Sequence, residues 1–221
     1  LRIGRLYRIS PVGFMGNVAV GLANGPFWSL APVYAQAQGF EKMDVALFIA
    51  IVIAGAAVAQ WPLGRASDFT DRRIVIAVAS AAAVGAGILL FIAAGPGLAG
   101  TDFFGAFGFP VGSLSSSHLN DHAEETERTE VASGILLIYG AAAAAGPALA
   151  AIGIWAGGIG TLFLFTALVH AGLLLFVLMR IRARAGVPLD ERSPVNAATM
   201  PNPAAPLALT PTRLQGAQQQ D

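Results

Sequence analysis

The sequence predicts an all-α membrane protein of six transmembrane helices, and three observations carry that prediction. Of its 221 residues, 55% are apolar and only 12% are charged, with a mean hydropathy of +0.65, which leaves too little charge to cover a water-soluble domain of this size. The apolar residues fall in segments of about 20, the length that a helix rising 1.5 Å per residue needs to cross a hydrocarbon layer of roughly 30 Å. Basic residues gather in alternate connections between these segments, and that alternation sets a topology.

Taken in order, residues 1–10 form a lead-in studded with Arg2, Arg5 and Arg8. The chain starts at Leu1, with neither an initiator Met nor a signal-peptide pattern, and reads as a fragment or a split half. The first span, 11–36, is long and interrupted by glycine and proline. The second, 45–63, runs into the dense charged turn Gly64-Arg-Ala-Ser-Asp68-Phe-Thr-Asp71-Arg72-Arg73, and the third, 74–94, resumes the apolar pattern. The fourth, 103–119, carries Phe103, Phe104, Phe107 and Phe109 and then Ser113, Ser115, Ser116 and Ser117. The polar connection from His118 to Glu130 leads to the fifth span, 131–154, and the sixth is 161–179. The bundle closes at residue 185. Residues 186–221, rich in Pro, Ala, Asn and Gln, cannot bury enough apolar surface to offset their ordering entropy, and are expected to form a disordered tail.

Arg65, Arg72, Arg73, Arg128, Arg180, Arg182 and Arg184 fall at the end that also carries the lead-in, whereas Lys42 is the lone basic residue in the opposite connections. The positive-inside bias makes the basic end, and both termini, cytoplasmic. Preference for Arg over Lys amid abundant Ala and Gly points to a bacterial inner membrane. A net charge of zero gives no footprint for nucleic acid, and the absence of cysteine removes disulfides, thiol catalysis and Cys-ligated metals.

The turn between the second and third spans resembles the signature loop of the major facilitator superfamily of secondary transporters. Gly64 and Asp68 hold its four-residue spacing and Arg72-Arg73 close it, although Phe69 stands where the family usually has a basic residue and Asp71 where it has glycine. The resemblance implies a gating latch, here rewired so that Asp71 pairs with Arg72 or Arg73. The competing reading is that any cytoplasmic connection is rich in arginine. A second point of resemblance is Tyr139-Gly140 through Gly146-Pro147, similar to the Gly-Pro-bearing helix of antiporter-type members. Small residues also serve simple close packing in lipid, and Gly140, Gly146 and Pro147 are read first as a packing motif. His118, Asn120, Asp121 and His122 have ligand-type side chains, but a solvated acidic run explains the segment more simply and no metal site is assigned.

By this resemblance the chain is one six-helix half, built of inverted three-helix repeats, of a transporter that moves a small solute by alternating access. The tail after the sixth span and the Arg-rich lead-in favour the C-terminal half, with the lipid bilayer and the other six-span half as partners. The first and fourth spans then line the pathway. Asn17 and Asn24, seven residues apart, share a helical face, as do Ser113 and Ser117; together with Trp28 they are the candidate pathway residues. Helix-to-helix bonding by the asparagines, and an interfacial belt containing Trp28 and Tyr34, remain open alternatives. His170 is read as a packing histidine or a coupling group. No Asp, Glu, Lys or Arg lies mid-span. Two other classes compete with this reading. A non-transporting scaffold or receptor needs only the six spans. An intramembrane serine protease needs a Gly-x-Ser motif, which Gly112-Ser113-Leu114-Ser115 does not provide. No catalytic residue and no cofactor is assigned.

Overall fold

A computed structural model of the chain describes residues 3–92 and 101–183. The expected tail 186–221, Arg2, Arg184 and most of the connection 95–102 lie outside the described residues, as does the side chain of Phe103. The described residues form α1 (Ile3–Ile9), α2 (Pro11–Ala37), α3 (Lys42–Phe69), α4 (Arg72–Ile92), α5 (Thr101–Gly108), α6 (Pro110–Asn120), a 3-10 turn at Glu125–Glu127, α7 (Arg128–Gly157) and α8 (Thr161–Ala183).

Local chemistry sets the helix boundaries. The Ser10 hydroxyl accepts the Gly13 amide at 3.1 Å and Pro11 opens α2 at a position where a missing N–H costs nothing. Gly39, at φ 86°, turns the chain out of α2, and Gly158, at φ 82°, does so after α7; both values belong to the left-handed region that favours glycine. The Glu41 amide donates to the Asp44 carboxylate at 3.2 Å, steadying the start of α3.

Two expected segments are corrected. The charged turn is mostly helix, because α3 continues through Gly64 and Asp68 to Phe69 and α4 starts at Arg72, leaving only Thr70 and Asp71 between them. Charged residues end a span without ending a helix, since a backbone that bonds to itself does not need the bilayer. The fourth span is not one helix but two, α5 and α6, because Pro110 has no amide to give and its ring crowds the preceding turn. Similarly, the polar connection 118–130 narrows to residues 121–124 and the 3-10 turn, which α7 follows directly.

By length and composition α3, α4, α7 with its preceding 3-10 turn, and α8 are able to cross a membrane. The chain is therefore a multi-pass membrane protein. In α2 glycine, proline and asparagine dilute the apolar character, and the break leaves α5 and α6 with only 8 and 11 residues.

α2 runs through the bundle, against α7, α6 and α8, while α4 packs on α8 and α3 on α5. Within a bilayer, close approach replaces the hydrophobic drive as the source of helix association. A Cβ on Gly25 would collide with the Ala143 carbonyl, and one on Gly105 with the Val52 carbonyl, so α2 meets α7, and α5 meets α3, backbone to backbone. Three buried clusters follow the bundle axis. Phe27, Phe48, Phe104, Phe109 and Phe163 fill the end away from the arginines. Val20, Ile76, Val111, Leu114 and Leu173 fill the middle. At the basic end Leu6 of α1 packs with Leu119, Val131 and Ile135.

Candidate functional site

Two polar features stand out in this apolar bundle, a charged clasp at the basic end and a seam between α2 and α6. Asp71 builds the clasp first. Its carboxylate accepts the Arg73 amide at 3.0 Å and its carbonyl the Ile74 amide at 2.8 Å, so it caps α4. The Arg73 guanidinium returns to the same carboxylate, with Nη2 at 2.6 Å and Nε at 3.1 Å, and its Nη1 reaches the Arg180 carbonyl of α8 at 3.5 Å. Burial pushes the Asp71 carboxyl up, but its bonds to the Arg73 side chain and backbone, with the Arg73 charge, prevail and hold it below its ordinary 3.8.

Arg72 points the other way and is 1% exposed. Its Nε lies 2.8 Å from Oδ2 of Asp121, whose side chain is also 1% exposed, and its Nη2 lies 3.7 Å from Oδ1 of Asp68. A single arginine thus ties the last turn of α3 and the start of α4 to the end of α6. Phe69, at the position where a basic residue was expected, lies under the Arg65 guanidinium at 5.4 Å from the ring centroid. Gly64 is buried, and its carbonyl accepts the Ser67 hydroxyl at 2.7 Å. His118 is buried beside the clasp with its ring edge-on to His122, the centroids 4.7 Å apart. Asp121 is the residue that sequence reasoning missed: it sits in an acidic run that reads as solvated, and only its place at the end of α6 brings it to Arg72.

The seam is joined by Asn17 of α2 and Ser116 of α6. Asn17 donates to the Gly13 carbonyl at 2.8 Å and accepts the Ser116 hydroxyl at 3.0 Å. Ser113 donates to the Pro110 carbonyl at 2.9 Å, and Asn24 lies 3.4 Å from the Tyr139 hydroxyl of α7. Asn17, Asn24, Ser113 and Ser117 are all buried inside the described bundle, whereas Trp28 is 44% exposed and meets Phe27 and Phe109 edge-on at 5.2 and 5.4 Å. Of the five candidate pathway residues, then, Trp28 is the one on the surface. On α7, Gly146 admits Pro26 and the Leu22 carbonyl of α2, and Pro147 follows it inside the helix, whereas a Cβ on Gly140 would meet nothing within 4 Å.

The sequence profile of the Major Facilitator Superfamily matches residues 13–215. The chain belongs to that superfamily. Among known sequences it is similar to the proteins described as "Uncharacterized MFS-type transporter YcaD" of Salmonella paratyphi B and Salmonella newport, at 24% identity over 145 residues, 66% of this chain and 38% of each relative. It spans well under half the length of these relatives. Among solved structures it is similar in fold to the human organic anion transporter MFSD10 (TETRAN), with a TM-score of 0.63 at 20% identity over 86% of this chain and 50% of that one. The superfamily match extends over both the clasp and the seam, and the fold match covers half of that solved transporter.

Proposed function

We propose that the chain is a six-span half, the C-terminal one, of a secondary transporter that carries a small solute across the bacterial cytoplasmic membrane by alternating access. The carrying observation is the superfamily match over nearly the whole chain, together with a fold that corresponds to half of a solved superfamily transporter. In this reading α2, α3, α4, α5 with α6, α7 and α8 are the six spans. The basic end and both termini are cytoplasmic, and the lipid bilayer and the other six-span half surround the chain.

The clasp of Gly64, Asp68, Asp71, Arg72 and Arg73 acts in gating, at the rim and away from the solute. Its pairs join the ends of α3, α4 and α6, the segments that must shift when a half rocks. Trp28 faces the solute pathway. Asn17, Ser113 and Ser117 reach it where α2 and α6 part, and Asn24 where α2 parts from α7. Gly140, Gly146 and Pro147 shape α7 for packing. The catalytic alternative has less support, since the Ser113 hydroxyl is given to a carbonyl of its own helix.

The full-length protein reconstituted in liposomes, screened with labelled solutes under an imposed ion gradient, tests the reading. Uptake of at least one solute, slowed by Asp68→Asn with affinity held within a few-fold, is expected. Uptake that keeps its turnover and loses affinity in Asp68→Asn would place Asp68 in solute binding instead.

A further inference from the structure

At its basic end α3 carries Trp61, Arg65 and Phe69, each four residues from the next and so stacked turn upon turn along one face. The Arg65 guanidinium carbon lies over both rings, 6.0 Å from the Trp61 centroid and 5.4 Å from that of Phe69. Both distances allow the electron-rich ring faces to hold the charge. Among the described residues no helix covers this ladder, since Trp61 is 74% exposed, Phe69 is 67% exposed and Arg65 is exposed between them.

Other arginines of this end are answered by carboxylates. Arg72 and Arg73 meet Asp121 and Asp71, Arg5 pairs with Glu127, and Arg128 lies 3.9 Å from Glu125. Among the described residues Arg65 has no carboxylate within ion-pair distance, and Asp68, one turn along, is turned to Arg72. The rings hold the guanidinium by its charge but cannot accept its five N–H donors in the way that oxygen does. Depth says which oxygens are within reach. The apolar run 45–63 makes about 28 Å of helix, enough to fill a hydrocarbon core of roughly 30 Å. Arg65 then stands about 3 Å past the edge of the core and Phe69 about 9 Å past it, in the headgroup layer. Toward the bilayer middle the exposed side chains of Val58 and Ile53 continue the face as apolar surface.

We propose that Trp61, Arg65 and Phe69 form a binding site for the phosphodiester of an anionic phospholipid in the leaflet at the basic end. The rings frame the guanidinium, its N–H fork takes two phosphate oxygens, and the acyl chains lie along Val58 and Ile53. A positive charge that no carboxylate of the protein offsets favours an anionic over a zwitterionic headgroup. The inference requires only that α3 crosses the bilayer, and it is independent of transport.

The test is native mass spectrometry of the full-length protein in detergent, titrated with phosphatidylglycerol and, in parallel, with phosphatidylcholine. It needs no transported solute, so failure of the transporter reading leaves it intact. Arg65→Gln is expected to weaken phosphatidylglycerol binding at least about threefold and to leave phosphatidylcholine within about twofold. Trp61→Leu combined with Phe69→Leu keeps the charge and removes the rings, and should weaken phosphatidylglycerol about twofold or more. Arg182→Gln removes an exposed arginine that has no aromatic partner among the described residues, and should cost clearly less than Arg65→Gln. Equal losses in Arg65→Gln and Arg182→Gln, or no loss in the ring variant, would overturn the proposal. So would unchanged phosphatidylglycerol binding in Arg65→Gln, the result expected if the other six-span half covers this face, and so would displacement of the lipid by millimolar inorganic phosphate.

Discussion

Removing the Asp121 carboxylate should be among the most damaging single changes at the basic end. In Asp121→Ala the Arg72 guanidinium stays where it is, 1% exposed, and loses its partner at 2.8 Å. Breaking a buried pair by removing one member costs about 3–5 kcal/mol, because the other charge is left desolvated. Here Asp68 remains 3.7 Å from Nη2, with a side chain 38% exposed, so it recovers only part of that loss. The lower end, about 3 kcal/mol, is therefore the working figure, equivalent to a fall in Tm of about 6–12 °C for a unit of this size. Replacing both partners with apolar residues, Arg72→Met with Asp121→Leu, should recover most of the loss, since no charge is then stranded. Thermal unfolding of the full-length protein in detergent, at low and high salt, reads both effects, and burial makes the difference insensitive to salt. A single-variant loss below about 1 kcal/mol, or strictly additive single and double variants, would refute the reasoning.

Three further outcomes follow from the same geometry. The Asp71 carboxyl is held below its ordinary value, so its contribution to stability is complete above pH 3.8 and is lost as pH falls through the lowered value; Tm measured from pH 7 to pH 3 should show a loss at the acid end that is missing in Asp71→Asn. Gly25→Val should destabilise by about 2 kcal/mol or more, because its side chain would collide with the Ala143 carbonyl and force α2 off α7; normal yield and unfolding behaviour would show that the two helices are free to separate. Trp28→Cys should react with a water-borne thiol reagent and be protected by solute, whereas cysteine at Asn17 or Ser113 should react only in a state where α2 and α6 part; equal reactivity at all three positions would place the seam on the pathway surface.

Hydropathy and charge made much of this architecture legible in the sequence. Apolar runs located the helices α3, α4, α7 and α8, and the spacing from Gly64 to Arg73 marked the connection that bears the clasp. Pro110 was visible too, but a proline inside a span can bend a helix without dividing it, so its presence alone did not show the break. Periodicity put Asn17 and Asn24 on one face without saying what that face meets, because helical phase fixes which residues share a face and not which neighbour covers it. That answer depended on Ser116, four helices later in the chain. Asp121 was the least legible of all. Its neighbours His122, Glu124 and Glu125 face water, and no local pattern separates the one carboxylate that turns inward to a buried arginine.

The count of crossings is the claim on which the rest depends, because α2 and the α5–α6 pair are the helices whose composition or length leaves it open. Cysteines placed one at a time at Gln38, Thr70, Glu124, Gly158 and Arg182 of the full-length protein, labelled in intact cells with an impermeant thiol reagent, decide it. Six crossings with the basic end inside predict labelling at Gln38 and Gly158 and protection at Thr70, Glu124 and Arg182. If only α3, α4, α7 and α8 cross, Gln38 and Glu124 fall on the same side of the membrane; matched labelling or matched protection at those two positions would contradict the six-span half.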